Sequence, residues 1–443
     1  MASTRMGSGL DRRTRLRAIS GSVIGTSLEW YDFFLYGTAA ALVFNHVFFP
    51  TVDPLTGTLL AFGSFAVGFV ARPIGAIVFG NLGDRIGRKR ILVMTLMIMG
   101  IATMLVGLLP GYGTLGIAAP IVLTILRFIQ GFGLGGEWGG AVLMSLEHGD
   151  AKRRGFAASW PQIGVPLGLL LANGAIAVML WLTDDDAFLV WGWRVPFVLS
   201  AVLIGIGLWI RLRVTESPEF EKLAAAGNRV RFPILEVLRT QRRELLIATG
   251  SRIGTDVAFY IFVLFVVTYL TQMVRVDQST ATLVVLASAA TMVVFIPIFG
   301  ALSDRIGRRP VYLAGAFGAL AWVFAFFPLL ETHNLPLIVL ADFVGMLCWA
   351  AMYGPLAAFT TELFPANVRY SGASLGFQLS GILGGALAPI IAVALYGRFQ
   401  SWLPIAIYVA AMLAITIVSI IVARESARDV ATDPAATVAE VQR

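Results

Sequence analysis

GNLGDRIGRKR at 80–90 returns as GALSDRIGRRP at 300–310, and each copy directly follows a long apolar run. Asp84 and Asp304 therefore stand 220 positions apart. A second pair keeps nearly the same offset: LEHGDAKRR at 146–154 and TELFPANVR at 361–369. Glu147 and Arg154 are seven apart in the first, and Glu362 and Arg369 are seven apart in the second. A fainter echo links TESPEF (215–220) with RESAR (424–428). Repetition at this distance divides the 443-residue chain into two homologous halves.

Working outward from these loops, the intervening sequence is apolar. Hydrophobic residues make up 58% of the chain and charged residues 13%, with mean hydropathy +0.82. A soluble globular chain carries about 25% charged residues. Runs long enough to cross a bilayer as helices lie at 20–46, 56–80, 91–110, 117–146, 155–182 and 190–211 in the first half. Those of the second half are 244–273, 280–301, 311–330, 336–361, 371–397 and 402–423. No long polar face alternates with them, which excludes one large soluble core. The fold class expected is an all-α membrane protein of twelve transmembrane helices in two pseudo-symmetric bundles. The divisions are a tail (1–18), a six-helix half (19–211), a linker (212–243), a second half (244–423) and a tail (424–443).

The basic residues orient the chain. Of 33 Lys and Arg, all but Arg72, Arg127, Arg194, Arg252, Arg275 and Arg398 fall in the tails and alternate connections on one side, Arg211 marking a span end. The positive-inside rule makes that side cytoplasmic, with both termini and 212–243 on it. The pI near 9.8 is then a topology signal and implies no nucleic-acid partner. The first span is too long for a cleavable h-region and is expected to be retained. The single cysteine, Cys348, excludes an intrachain disulfide and a multi-cysteine metal site. His46, His148 and His333 fall at span ends or in connections, so no metal site is expected. No clustered His, Cys or Ser constellation points to an enzyme.

The repeated G-x-x-x-D-R-x-G-R-[KR] loop resembles the signature of the major facilitator superfamily. Within it, EWYDFFLYG (29–37), ARPIGAIVFGNLGDRIGRKR (71–90), RFIQGFGLGGEWGG (127–140), WGWRVPF (191–197) and ESPEF (216–220) together resemble the metabolite:proton symporters. That family includes permeases for shikimate, 2-oxoglutarate, citrate and proline or betaine. The resemblance runs from about residue 15 to 425 and implies a carrier that rocks around a central site. It implies import of a small polar metabolite, a carboxylate or zwitterion, driven by the proton gradient without a cofactor. The expected partners are substrate, protons and the lipid bilayer of the cell membrane, for a functional monomer. A multidrug antiporter is disfavoured because WPQIGVPLGLLLANG (160–174) keeps only a fragment of the antiporter stretch. A sensor that moves nothing is the reading from another class.

Charges inside the spans carry the functional expectation, since each costs about 2.5–3.5 kcal/mol at the bilayer centre even on the mild insertion scale. Glu29, Asp32, Glu137, Asp256 and Asp342 are the acids, and Arg127 and Arg252 the deep bases. Two arginines can settle two acids as static pairs, and the surplus is what a proton-coupled carrier needs. Glu29 and Asp32 are three apart on one helical face, with Tyr36 a turn further. Related sugar porters pair an acid on the first helix with an arginine on the fourth, which implies Asp32 as proton carrier, Arg127 as its partner, and Glu29 and Glu137 assisting. Arg72 and Arg194 are read as structural residues near span ends. Gly131, Gly135 and Gly139 recur at the spacing that lets helices approach closely.

Arg252 and Asp256, four apart, are expected to pair when the site is empty, leaving Arg252 to take the substrate carboxylate. The resemblance adds cavity residues: Tyr36, Gln130, Trp160 and Gln162 from the first half, and Tyr260, Trp349, Tyr353 and Gln378 from the second. Asp342 is expected near the outer end of its span, in contact with water. The resemblance also implies a cytoplasmic gate in which the repeated aspartate caps a neighbouring helix and joins loop arginines. Its members are Asp84, Arg88, Glu147 and Arg154, mirrored by Asp304, Arg308, Glu362 and Arg369.

Overall fold

The computed structural model describes residues 12–86, 88–135, 153–213, 233–365 and 368–423. Twelve principal helices follow in order. The first six are α1 (Arg12–Leu42), α2 (Pro54–Ile86), α3 (Arg88–Leu108), α4 (Ala118–Leu134), α5 (Arg154–Leu182) and α6 (Arg194–Arg213). The second half holds α7 (Arg242–Val274), α8 (Gln278–Ile306), α9 (Arg308–Leu330), α10 (Leu335–Glu362), α11 (Arg369–Phe399) and α12 (Leu403–Val422). Among the described residues, eight helices are long and apolar enough to cross a membrane by themselves. Asp185–Gly192 and Arg194–Trp209 make a ninth span bent by 41°. The apolar parts of α3 and α4 that are described, Val93–Leu108 and Ala118–Leu134, are shorter.

The helices are sorted inside out. On α4, Ile121, Ile125 and Phe128 are exposed while Leu123, Leu126, Arg127 and Gln130 are buried. Lipid takes the apolar face, and the polar side chains turn inward where partners await them. The α4 glycines then seat that helix. A Cβ on Gly131 would strike the Gly68 carbonyl of α2, and one on Gly135 would strike the Arg72 carbonyl, so the two backbones touch. Gly139 and Glu137 lie outside the described residues.

The packing obeys the repeat. Helix α2 packs on α4 as α8 packs on α10, α3 on α6 as α9 on α12, and α1 on α5 as α7 on α11. The halves meet through α5 against α8 and, in mirror fashion, α2 against α11. Symmetry is broken locally: α7 widens into π turns at Ile261–Phe265 and Tyr269–Val274, and α11 at Gly381–Ala386. Such turns concentrate at functional positions of helices, and these flank the region where the halves face each other.

Several sequence expectations shift. Helix α2 continues to Ile86, so Asp84 lies within it and not past its end. That extension also moves Arg72 to mid-helix. Asp342 is buried at 1% exposure and meets Ser288 of α8, because α8 and α9 cover that face of α10. The Ser288 hydroxyl also reaches the Val284 carbonyl at 2.9 Å. Buried with a serine hydroxyl as its partner, Asp342 faces protein and not water.

Candidate functional site

Four aromatic rings bind the two halves at the centre. Phe33 of α1 lies 4.9 Å from Phe65 and 5.2 Å from Phe69, both on α2. Tyr260 of α7 closes the group from the other half, 5.6 Å from Phe69 and 6.4 Å from Phe33. Three buried arginines stand around these rings: Arg72, Arg127 and Arg252.

Arg127 stacks its guanidinium over Phe33, Tyr36 and Phe65 at 4.4–4.6 Å, an arrangement that favours a cation in a desolvated place. Its Nη1 donates to Gln130 Oε1 at 3.2 Å, and Gln130 Nε2 donates to Thr103 Oγ1 of α3 at 2.7 Å. The Thr103 hydroxyl meets the Asp32 carboxyl group. No ion pair within 4 Å joins Asp32 to Arg127 among the described residues. In place of a direct pair stands a row of neighbours, Asp32 facing Thr103, Thr103 bonded to Gln130 and Gln130 to Arg127, because the rings of α1 and α2 hold the guanidinium on its faces. Thr103 also reaches the Met99 carbonyl at 3.0 Å. Its proton can serve Asp32 when that group is ionised and Met99 when Asp32 itself donates. Tyr36 bonds Ser64 at 2.8 Å, which keeps its ring under Arg127.

Arg252 and Asp256 form a closed pair, with Nε and Nη2 both 3.0 Å from Oδ1. Ser380 of α11 donates to Oδ2 at 2.8 Å, so both carboxylate oxygens are engaged. The guanidinium lies 3.1 Å from the Phe377 ring centroid. Trp349 and Tyr353 of α10 stack at 4.2 Å, with Trp349 Nε1 donating to the Thr255 carbonyl of α7. Tyr353 faces Gln162 across the halves, and Gln378 Nε2 donates to the Gly135 carbonyl of α4 at 3.3 Å. Trp160 stands apart: it is half-buried near the start of α5, edge-on to Phe156. Glu29 sits on the inward face of α1, within electrostatic range of Arg72.

At the end of the bundle carrying the repeated loops, Asp304 crosses from α8 to cap α5. Its two oxygens accept from the Gly155 and Phe156 amides at 2.8 and 2.9 Å. An aspartate at a helix start satisfies orphan amides and complements the helix dipole. Arg308 Nη1 lies 2.6 Å from Asp304, and its Nη2 is 3.6 Å from Glu362. Arg154 acts on Glu362 from the other half while remaining exposed. Arg369 stays outside this cluster and donates to its own loop at the Phe364 carbonyl, 3.2 Å away. The Asp84 and Arg88 side chains, and Glu147 altogether, lie outside what is described. At the opposite end the halves meet through a neutral contact, Gln272 Nε2 to Thr58 Oγ1 at 3.0 Å.

Sequence reading placed Arg72 near a span end and did not single out Thr103, Ser380 or the rings of Phe33, Phe65 and Phe69. One signal was available for Arg72. It precedes Asp84 by twelve residues, which at 1.5 Å per residue is about 18 Å of helix and too deep for a boundary residue.

A carrier is the class of protein that two mirrored six-helix halves with buried charges between them define, and the chain belongs to the major facilitator superfamily, among its metabolite permeases. The family model for sugar (and other) transporters matches residues 18–229, and the Major Facilitator Superfamily model matches 245–440. The chain is 40% identical over 433 residues to the shikimate transporter of Escherichia coli K12, covering 97% of this chain and 99% of that one. It is also 40% identical over 418 residues to the inner membrane metabolite transport protein YhjE of the same strain, covering 93% and 95%. The proline/betaine transporter of that strain is 33% identical over 426 residues, covering 93% of this chain and 84% of that one. Among solved structures, the D-xylose-proton symporter superposes with TM-score 0.74 at 15% identity, covering 93% of this chain and 98% of that one, a likeness of fold. The protein is therefore a multi-pass membrane transporter and not an enzyme.

Proposed function

We propose that this carrier is a proton-coupled symporter that imports a small polar metabolite bearing a carboxylate, by alternating access in the cell membrane. The substrate is a shikimate-like acid or a zwitterion of the proline or betaine kind, as the names of its relatives suggest. Both termini and the 212–243 connection are cytoplasmic, so the Asp304 cluster is the cytoplasmic gate. The proton gradient drives the cycle without a cofactor, and a single copy of the chain suffices.

The observation that carries this reading is the placement of Asp32. It is buried, has no cation within ion-pair distance among the described residues, and communicates with Arg127 through Thr103 and Gln130. A proton can bind and leave there by turning one hydroxyl, whereas a direct salt bridge would have to break. The test is uptake into proteoliposomes under an imposed inward proton gradient, with labelled shikimate, 2-oxoglutarate, citrate, proline and glycine betaine. Asp32→Asn is expected to abolish accumulation against a gradient while retaining exchange of substrate. Accumulation by Asp32→Asn equal to wild type would sink the coupling role, and wild-type uptake indifferent to the proton gradient would sink symport.

A further inference from the structure

The three buried arginines differ in what their donors meet. Arg252 grips Asp256, and Arg127 donates to Gln130 and, at 3.5 Å, to the Phe65 carbonyl. Arg72 is 4% exposed, yet its Nε and Nη2 have no hydrogen-bond partner. These two nitrogens form one edge of the guanidinium, the edge that takes a carboxylate through two parallel bonds. Its flat faces are held without hydrogen bonds, 4.3 Å from the Phe33 ring centroid and 4.6 Å from that of Phe69, with Trp30 at 5.7 Å. Three aromatic walls thus orient the group and leave its fork open.

The charged and titratable groups facing Arg72 come from three helices. Glu29 lies on α1, Arg127 on α4, and Arg252, Asp256 and Tyr260 on α7. Asp256 is closed by Arg252 and Ser380, and the other two arginines repel Arg72. Glu29 adds a negative charge within electrostatic range of Arg72, but no acceptor meets Nε or Nη2, so an unused pair of donors stands between the halves, next to Tyr260, which closes the ring cluster from the second half. An anion entering there satisfies both donors without breaking an existing pair, whereas binding at Arg252 requires displacing Asp256.

We infer that Arg72 is the primary anchor for the carboxylate of the transported metabolite, held side-on by Nε and Nη2. This rests on the reading of the chain as a carrier of carboxylate-bearing metabolites. Arg252 with Asp256 is then the neighbouring closed pair that stays intact as the substrate arrives.

The experiment uses the full-length protein, first in proteoliposomes to find which of the five labelled compounds wild type takes up, then in detergent for equilibrium binding of that compound. Arg72→Lys keeps the charge and loses the fork, and its binding constant is expected to weaken by at least about 30-fold, the scale of losing a charge-assisted hydrogen bond. Arg72→Met should bind no measurable substrate, yet unfold at a temperature equal to or above that of wild type, because a buried cation with two unmet donors is gone. Binding by Arg72→Lys and Arg72→Met within a few-fold of wild type would overturn the assignment. So would loss of binding in Arg72→Met accompanied by a drop in unfolding temperature, which marks a structural residue. If wild type takes up none of the five carboxylates, the reading of the substrate as such a metabolite fails and the anchor with it. If wild type takes one up and the Arg72 variants do so equally well, only the anchor fails.

Discussion

The two halves share a fold but treat their buried acid and base in opposite ways. In the second half, Arg252 and Asp256 lie four residues apart on one helix and meet at 3.0 Å, with Ser380 closing the remaining oxygen. In the first half, Asp32 and Arg127 come from different helices and communicate through Thr103 and Gln130. A closed pair with both carboxylate oxygens engaged has little reason to exchange a proton. An acid whose contact is a hydroxyl with a second acceptor nearby can change state by rotating that hydroxyl. The lesson is that equivalent scaffolds close one centre into a pair and leave the other linked only through neutral side chains, the arrangement on which the proposed coupling rests.

Breaking the closed pair has the largest expected effect on stability. Arg252→Ala strands Asp256 in a dry place and should cost about 3–5 kcal/mol, read as a fall in the midpoint of denaturant unfolding in detergent. The double variant Arg252→Met with Asp256→Leu should recover most of that loss, since neither charge is then left alone. If the double variant is as unstable as the single one, the pair does more than neutralise itself and the contrast between halves is overdrawn.

Next in size is the contact that joins the halves at the loop end. Asp304→Ala removes the cap of α5 and the partner of Arg308. Loss of a helix cap costs about 1–2 kcal/mol. The larger consequence is a population shift towards a state open at that end. A cysteine introduced near Gly300, which packs against Gly155 and Ser159, should react faster with a thiol reagent in Asp304→Ala than in the parent. Unchanged reactivity would show that this cluster does not hold the end shut.

The smallest effect sharpens the comparison most. Thr103→Val keeps the shape and removes the hydroxyl that links Asp32 to Gln130. About 1 kcal/mol of stability is expected to be lost, while proton-driven accumulation slows several-fold and substrate exchange continues. Equal slowing of both processes would place Thr103 in substrate passage and leave that link without a role.

The sequence alone was enough for the architecture. Apolar runs of bilayer length, basic residues gathered in alternate connections on one side and a loop repeated at 220 residues leave little freedom to a chain that must satisfy every backbone group inside lipid. The pairing of Arg252 with Asp256 was equally legible, because four residues on a helix bring side chains together whatever surrounds them. Contacts between helices were not legible in that way. Whether Asp32 meets Arg127 or a threonine depends on the rotation of α3 and α4 against α1. Whether Arg72 sits at a boundary or at the centre depends on how far α2 continues towards its loop. Glu362 and Arg369 repeat the spacing of Glu147 and Arg154, yet Glu362 turns to Arg308 while Arg369 bonds its own loop. Local periodicity determines which face of a helix is polar. Only the packing of glycine-lined backbones and aromatic rings across two halves decides which polar group on that face finds a partner, and which one is left with its donors open.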